Sequence, residues 1–308
     1  MRESDVDWSE LRNSVLAEDS GTMLPPSIKL PSLPKALLDF RKKAQADAST
    51  EVLSQIIASD AGMSAELLKM VNASSNGLRT RVTSVKQALV MLGVRPTLLH
   101  LTTIGMKQMM KSSSSKLIHF QKFWNTNLER SLFAKRVAKL LGADADLAYT
   151  ACMLQDFILP VITNQLTDKY LDFLGNRKDY ESLCEFEKKE LGWDHSQAAA
   201  QIMYAWEFPD ELICCVYFHH FGLTLLKHDA LKNSAAAAVA VASLLPEAMM
   251  QVTDGIEQLK TLQKSWDDFK LMRIATEVSE EFQEISNNAR NHFSLLRTLK
   301  NAKICETV

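Results

Sequence analysis

Apolar residues recur every three or four positions along most of this 308-residue chain, the spacing of one buried face of an α-helix. The alternation typical of strands is missing, and the one Asn-Gly dipeptide, Asn76-Gly77, has helical flanks. The pattern therefore predicts an all-α protein. Its short apolar stripes include Val52-Leu53-Ile56-Ile57, Leu67-Leu68-Val71 and Val85-Ala88-Leu89-Leu92.

Capping and breaking residues predict where these helices begin and end. Short helices are expected to begin at Pro34 or Lys35, at Ser49 and at Ser64, and Ser84 to Gln87 reads as a capping box. Longer helices are expected beyond residue 116. They are Phe120–Leu141, a helix capped by Asp144 that holds Gln155 and Asp156, Asp194–Trp206, a helix from Pro209 to about His219-His220, Ser234–Leu245, Val252–Phe269 and Met272–Leu299.

Punctuation along the chain predicts its organisation. Residues 1–23 form a polar lead with one short helical pattern, Trp8 to Leu16. Prolines between residues 25 and 34 predict an extended entry into the first lobe, because proline fixes φ and lacks an N–H donor. Four serines at 112–115 predict a hinge or exposed loop. We expect residues 24–111 to form a small helical lobe and 116–221 a helical bundle, on which helices within 222–308 pack.

Composition narrows the class of protein. The chain has 46% hydrophobic and 23% charged residues, which is ordinary for a folded domain. No apolar run reaches the roughly 18 residues that a membrane span needs, and the N-terminus does not resemble a signal peptide. The five cysteines lack a CxxC pair, so we expect reduced thiols and a cytoplasmic protein.

Charge is distributed unevenly. Residues 29–111 carry 12 basic and 5 acidic residues, so the rest of the chain is acidic enough to give a net charge of −2. A basic stretch with Arg79, Arg81, Lys86 and Arg95 raises nucleic-acid binding as a third hypothesis. It lacks an aromatic or arginine-rich reading face, so we favour a solvated helical surface and expect no nucleic-acid partner.

Gln155 and Asp156 are the most informative polar residues, because they stand inside the apolar run 151–162. A buried carboxylate must find a donor, a cation or a proton. His195, His219 and His220 are further polar groups in apolar helical settings, and carboxylate with imidazole suits Mn, Fe, Mg or Zn. Core histidines that bond to a carboxylate are the commoner case, so spacing alone leaves both interpretations open.

The order of motifs resembles the HDOD domain family, a signalling relative of the HD-domain metal-dependent phosphohydrolases. The resemblance covers about residues 24–221 and implies an all-α fold, with an HD-like bundle behind a smaller helical lobe. Its motifs, in order, are Leu30-Pro31-Ser32-Leu33-Pro34, Ile56 to Asn72, Ser84 to Gly93, Phe123-Trp124, Glu187 to Gly192, Asp194-His195, Trp206 to Pro209 and His219-His220.

The chain departs from an active HD site at two ligand positions. Thr126 stands where the resemblance implies a histidine, and Gln155 replaces the histidine of the His-Asp pair. A catalytic ion needs about three protein ligands in fixed geometry, so we expect no cofactor and no catalytic residue. The expected remnant is a degenerate pocket of Thr126, Gln155, Asp156, His195, His219 and His220. If a divalent metal did bind, its ligands would be Asp156, His195, His219 and His220.

The resemblance implies bacterial signal transduction. Our leading hypothesis is a non-catalytic signalling or scaffold protein that binds a protein partner, with Asp156 stabilised by a neighbouring histidine or a backbone donor. The alternative is a metal-dependent phosphohydrolase acting on a nucleotide or another phosphoester.

Overall fold

The computed structural model describes residues 3–18, 28–72, 81–111, 115–177, 182–247, 249–286, 292 and 294–302. Most residues in these ranges are helical. The β structure within them is an isolated antiparallel bridge between Ser182 and Val252. The all-α prediction is therefore confirmed. Asn76-Gly77, Arg79, Ser112 to Ser114 and Cys305 lie outside the described residues.

The helices follow one another with short connections. In chain order they are α1 Trp8–Glu18, α2 Lys35–Gln45, α3 Thr50–Ala58, α4 Ala61–Val71, α5 Val85–Leu92, α6 Val94–Lys111, α7 Phe120–Leu141, α8 Ala145–Leu154, α9 Leu159–Gln165, α10 Thr167–Gly175, α11 Leu183–Leu191, α12 His195–Ala205, α13 Asp210–Tyr217, α14 Ala235–Ala242, α15 Gly255–Ser265, α16 Leu271–Ile285 and α17 Leu295–Asn301. A 3-10 segment, Phe218–Lys227, follows α13 directly.

One compact unit comprises residues 30–113 and 283–287. Its helices α2 to α6 pack around buried apolar side chains such as Phe40 and Leu53. A Cβ atom on Gly105 would lie 2.8 Å from Leu37 Cδ2, so glycine lets α6 approach α2 closely. In the basic stretch, Lys86 forms an ion pair with Glu51.

The other unit comprises residues 1–29, 114–282 and 288–308. At its centre α7 packs against α8 and α14, and α13 packs against both α8 and α14. All eight residues of α14 are buried, because alanine and valine side chains allow close packing. The domain boundaries predicted at residues 24, 116 and 222 stay predictions.

Several predicted helix boundaries need correction. Asp60, not Ser64, caps α4: its side chain accepts from Met63 N, while Ser64 Oγ donates to Ile57 O. Helix α8 ends at Leu154, so Gln155 and Asp156 lie in the turn before α9. The expected helix over residues 272–299 is split into α16 and α17, and α10 and α11 were missed.

One segment, Ala145–Gln165, is long and apolar enough to pass a length-and-composition test for a membrane span, with a mean hydropathy of 1.3. We had expected no such run. Within the protein, 83% of that window is buried, as in a core helix, and the turn at residues 155–158 interrupts the segment.

Candidate functional site

The turn after α8 places Asp156 in the core. Gln155 ends α8, and Pro160 occupies the second position of α9, where a missing N–H costs little. His195 is the first residue of α12, behind the capping box formed by Asp194 and Gln197. His219 and His220 follow α13 in the 3-10 segment. Three separate segments of the chain, the turn after α8, the start of α12 and the 3-10 segment, thereby meet at one carboxylate.

Arg130 is the cation that stabilises Asp156. Its Nη1 lies 2.9 Å from Asp156 Oδ2, and its Nη2 donates to Ser243 O at 3.0 Å. The Arg130 and Asp156 side chains are 2% and 0% exposed. The histidines that we expect beside Asp156 are also present, at His195 and His219, whereas Arg130 was not identified from the sequence. The signal that could have revealed Arg130 is its place on α7, seven residues from both Phe123 and Val137, which are buried.

Gln155 acts as a donor to Asp156. Its Nε2 lies 3.3 Å from Asp156 Oδ2, and its Oε1 lies 2.9 Å from Ser243 Oγ, whose single proton it shares with Val239 O at 2.8 Å. The amide oxygen, which would be the metal ligand, is therefore held by a serine hydroxyl. The replacement of histidine by glutamine changes the group from a ligand into part of the hydrogen-bond network around the carboxylate.

The other oxygen of Asp156 faces the histidines. Oδ1 lies 3.3 Å from His195 Nε2 and 3.4 Å from His219 Nε2. Neither Oδ1 nor His219 Nε2 makes a well-directed hydrogen bond, although both are buried. His219 Nδ1 donates to Val216 O at 2.6 Å, and this bond directs the other ring nitrogen, Nε2, toward Asp156.

A second carboxylate, Glu187, orients His195. Glu187 Oε2 lies 2.6 Å from His195 Nδ1 and accepts from the His195 backbone N–H at 2.8 Å. Glu187 Oε1 accepts from Tyr170 OH at 2.7 Å. On the far side, His195 Nε2 lies 2.9 Å from His220 Nε2, so one of the two nitrogens must donate. These contacts fix the ring of His195 on both sides.

Burial and charge together set the ionisation of this network. Burial opposes a charged Asp156, but contacts with His195 and His219 and the charge of Arg130 outweigh it and hold the pKa of Asp156 well below its usual value. Burial also opposes a charged His195, yet Glu187 and Asp156 raise the pKa of His195 well above its usual value. Burial and repulsion by His219 and His195 lower the pKa of His220 well below its usual value.

The charged groups of this network lie next to groups of opposite sign. Arg130 lies against Asp156, and His195 lies between Asp156 and Glu187. His220, whose pKa is lowered, can accept the proton on His195 Nε2. Such pairing is what a buried polar cluster needs to avoid the cost of an unpaired charge.

Thr126 lies apart from this network. It lines a small cavity of about 40 Å³ together with six other residues of the bundle, which are Glu129, Arg130, Leu245, Pro246, Leu295 and Thr298. Arg130 is the shared element, since it borders the cavity and also pairs with Asp156. The structure thus brings five of the six predicted pocket residues together. Thr126 is the sixth, and it lies one turn of α7 before Arg130.

We tested whether these residues fit the metal centre that the resemblance implies. Ligand atoms of Asp156, His195, His219 and His220 all lie within 4.8 Å of one another, so this cluster could hold one ion. Its 3.3 and 3.4 Å edges match the roughly 3.3–3.5 Å separation of ligands around a tetrahedral zinc. Binding would require the proton on His195 Nε2 to leave.

Two features of the cluster differ from the metal centre that the resemblance implies. Both implied histidine positions, Thr126 and Gln155, lack a ligand atom directed at Asp156, and Arg130 already occupies Asp156 Oδ2. A four-coordinate ion such as zinc on the opposite oxygen would have protein ligands at all four positions, whereas a catalytic zinc needs an open position for water or substrate.

The fold and site define an all-α bundle built around a buried aspartate–histidine cluster with an internal arginine. Residues 30–221 match the family model for the HDOD domain, and the chain belongs to the HDOD domain family. The resemblance seen in the sequence over residues 24–221 is thereby confirmed.

Known proteins similar to this chain share its fold at low sequence identity. A "Putative phosphohydrolase" from Shewanella amazonensis SB2B has a TM-score of 0.64 at 18% identity, covering 88% of this chain and 97% of that one. A "Putative signal transduction protein" from Marinobacter aquaeolei VT8 has a TM-score of 0.57 at 17% identity, covering 91% and 66%.

A sequence relative is an "Uncharacterized protein" of Treponema pallidum (strain Nichols). It is 23% identical over 197 residues, which are 62% of this chain and 37% of that protein. The match therefore spans little more than a third of the relative's length.

Proposed function

We propose that this HDOD protein is a non-catalytic signalling or scaffold protein whose HD-type site has become a structural core. The observation that carries the proposal is the buried ion pair between Arg130 and Asp156. A hydrolase of the HD type needs that carboxylate for its metal, and here a permanently charged guanidinium holds one of its oxygens. The partner is then a protein of the same signalling pathway, bound through the surface of the bundle or the smaller lobe.

The test is a combined assay of metal content and hydrolysis. Protein purified without chelator would be analysed for Fe, Mn, Zn and Mg, and then incubated with a panel of nucleotides and other phosphoesters, with and without added Mn²⁺. The proposal predicts substoichiometric metal and no turnover above that of the Asp156→Asn variant. Stoichiometric metal together with turnover that Asp156→Asn abolishes would overturn it.

A metal-dependent phosphohydrolase is the second candidate. The observation in its favour is the set of converging donors on Asp156 Oδ1, with two buried ligand atoms, Asp156 Oδ1 and His219 Nε2, that lack hydrogen-bond partners. In that case Asp156, His195, His219 and His220 would hold the ion, which would supply a Lewis acid. Glu187 would orient His195 through Nδ1, as carboxylates commonly do behind metal-bound histidines.

A further inference from the structure

The two oxygens of Asp156 have different surroundings, and the difference assigns a role to Arg130. Oδ2 is saturated by Arg130 Nη1 at 2.9 Å and Gln155 Nε2 at 3.3 Å. Oδ1 faces the imidazole nitrogens of His195 and His219 without a well-directed hydrogen bond. The carboxylate is therefore bound to a fixed cation on one side and directed at potential metal ligands on the other.

Arg130 is held in place from separate parts of the bundle. Its two terminal nitrogens reach Asp156, in the turn after α8, and the carbonyl of Ser243, which follows α14. The guanidinium is delocalised and stays charged at every relevant pH. Arg130 therefore neutralises the negative charge of Asp156 from the side of Oδ2, a task that a bound metal ion would otherwise perform.

A divalent ion on the opposite oxygen would experience this charge at close range. Two like charges a few ångströms apart in a protein repel strongly enough to weaken binding on the order of a hundredfold or more. Removing the charge of Arg130 while keeping the four donors should therefore turn a repelled ion into a bound one. The donor set itself is complete, because its ligand atoms lie within 4.8 Å of one another.

We propose that Arg130 replaces a metal ion at Asp156 and excludes divalent ions from the donors of Asp156, His195, His219 and His220. Arg130 is a positioning residue: it stabilises the core that an ion would otherwise hold together. This inference rests on the proposed function, since it explains how the core remains stable without a catalytic centre.

The experiment titrates Co²⁺ into the full chain and its Arg130→Met variant, followed by visible absorption. Methionine keeps most of the length of the side chain and removes the charge. We expect Arg130→Met to bind one Co²⁺ about a hundredfold or more tighter than the wild type does. We also expect the absorption of a four-coordinate nitrogen–oxygen site, lost when His219→Ala is added. Arg136→Met is the matched control: Arg136 lies on the same helix but pairs with Glu277 and Glu281.

Each outcome decides the matter. Equal Co²⁺ affinity of the wild type and Arg130→Met, or a gain of the same size in Arg136→Met, overturns the proposal. If Arg130→Met fails to fold alone, refolding with Co²⁺ supports it and failure to refold in Co²⁺ contradicts it. Hydrolysis by the wild type would instead refute the proposed function, whereas an inert wild type with a metal-free Arg130→Met would refute this inference alone.

Discussion

Two buried carboxylates in the same bundle, Asp156 and Glu129, are stabilised by different kinds of partner. Asp156 is paired with Arg130, a side chain of the central helix α7. Glu129, the neighbour of Arg130 on α7, accepts from His292 Nε2 at 2.6 Å and from the Leu295 backbone N–H at 3.0 Å. The first pair joins core elements, whereas the second holds the C-terminal helix α17.

The two carboxylates should respond differently to the loss of a partner. If a partner of Asp156 is removed, the charge left behind stays inside the core, because Arg130, Asp156 and His195 are all buried. If the contacts of Glu129 are weakened, α17, a short helix of seven residues, can open locally and expose the carboxylate to water. The same buried charge is therefore costly in one place and tolerable in the other.

The largest expected effect is that of Asp156→Asn. It leaves Arg130 buried without a counter-charge, so the free energy of unfolding should fall by about 3–5 kcal/mol. Urea denaturation followed by circular dichroism would measure it. Adding Arg130→Met should recover part of the loss, because the unpaired charge is removed. A double variant as unstable as the sum of the two single variants would show that the pair is not coupled.

Glu129→Gln should have a smaller and local effect, about 1–2 kcal/mol, because a neutral amide oxygen replaces a charged acceptor of the Leu295 N–H. Amide hydrogen exchange should accelerate in residues 294–302 and remain unchanged in α8 and α12. Glu277→Gln, at a half-exposed pair with Arg136, serves as the control. Faster exchange throughout the bundle would contradict the comparison.

The stability that the Asp156 cluster contributes should depend on pH. The pKa of Asp156 is lowered from 3.8, so its contribution is complete above pH 3.8 and is lost as pH falls through the folded value. The pKa of His195 is raised from 6.5, so its contribution is complete below pH 6.5 and is lost as pH rises through the folded value. Between these values both contribute fully.

Denaturant titrations of wild type and Asp156→Asn at a series of pH values would test this. The stability gap between them should be largest between pH 3.8 and 6.5 and should narrow below pH 3.8. A gap that widens in acid would reverse the sign that we expect.

The smallest effects should come from two serines that support the two carboxylates. Ser243→Ala removes the hydroxyl that donates to Gln155 Oε1, and Ser294→Ala removes the N-cap of α17; each should cost about 1 kcal/mol. Thermal melts would measure both losses. Only Ser294→Ala should raise hydrogen exchange in α17, so an equal rise in both variants would remove the distinction.

Local signals in the sequence were sufficient to predict most helices, because caps and periodicity act within a few residues. Phe120–Leu141 ends before Gly142 as predicted, and Ser49 and Asp144 cap the helices assigned to them. Ser64 was misjudged because Asp60 competes for the same helix start. Gln155 and Asp156 form a turn because α8 ends at Leu154 and the next helix begins at Leu159, with Pro160 in its first turn.

By itself, the sequence determined the helical class, the HDOD family and the set of histidines around Asp156, because these depend on periodicity, motif order and residue identity. Only the tertiary structure decided that Arg130 lies against Asp156 and that Thr126 faces a different cavity. An arginine within an amphipathic helix can reach the surface or the core, and its direction depends on how α7 packs against α8 and α14. The partner of a buried charge therefore depends on how helices that are distant in the sequence pack against one another.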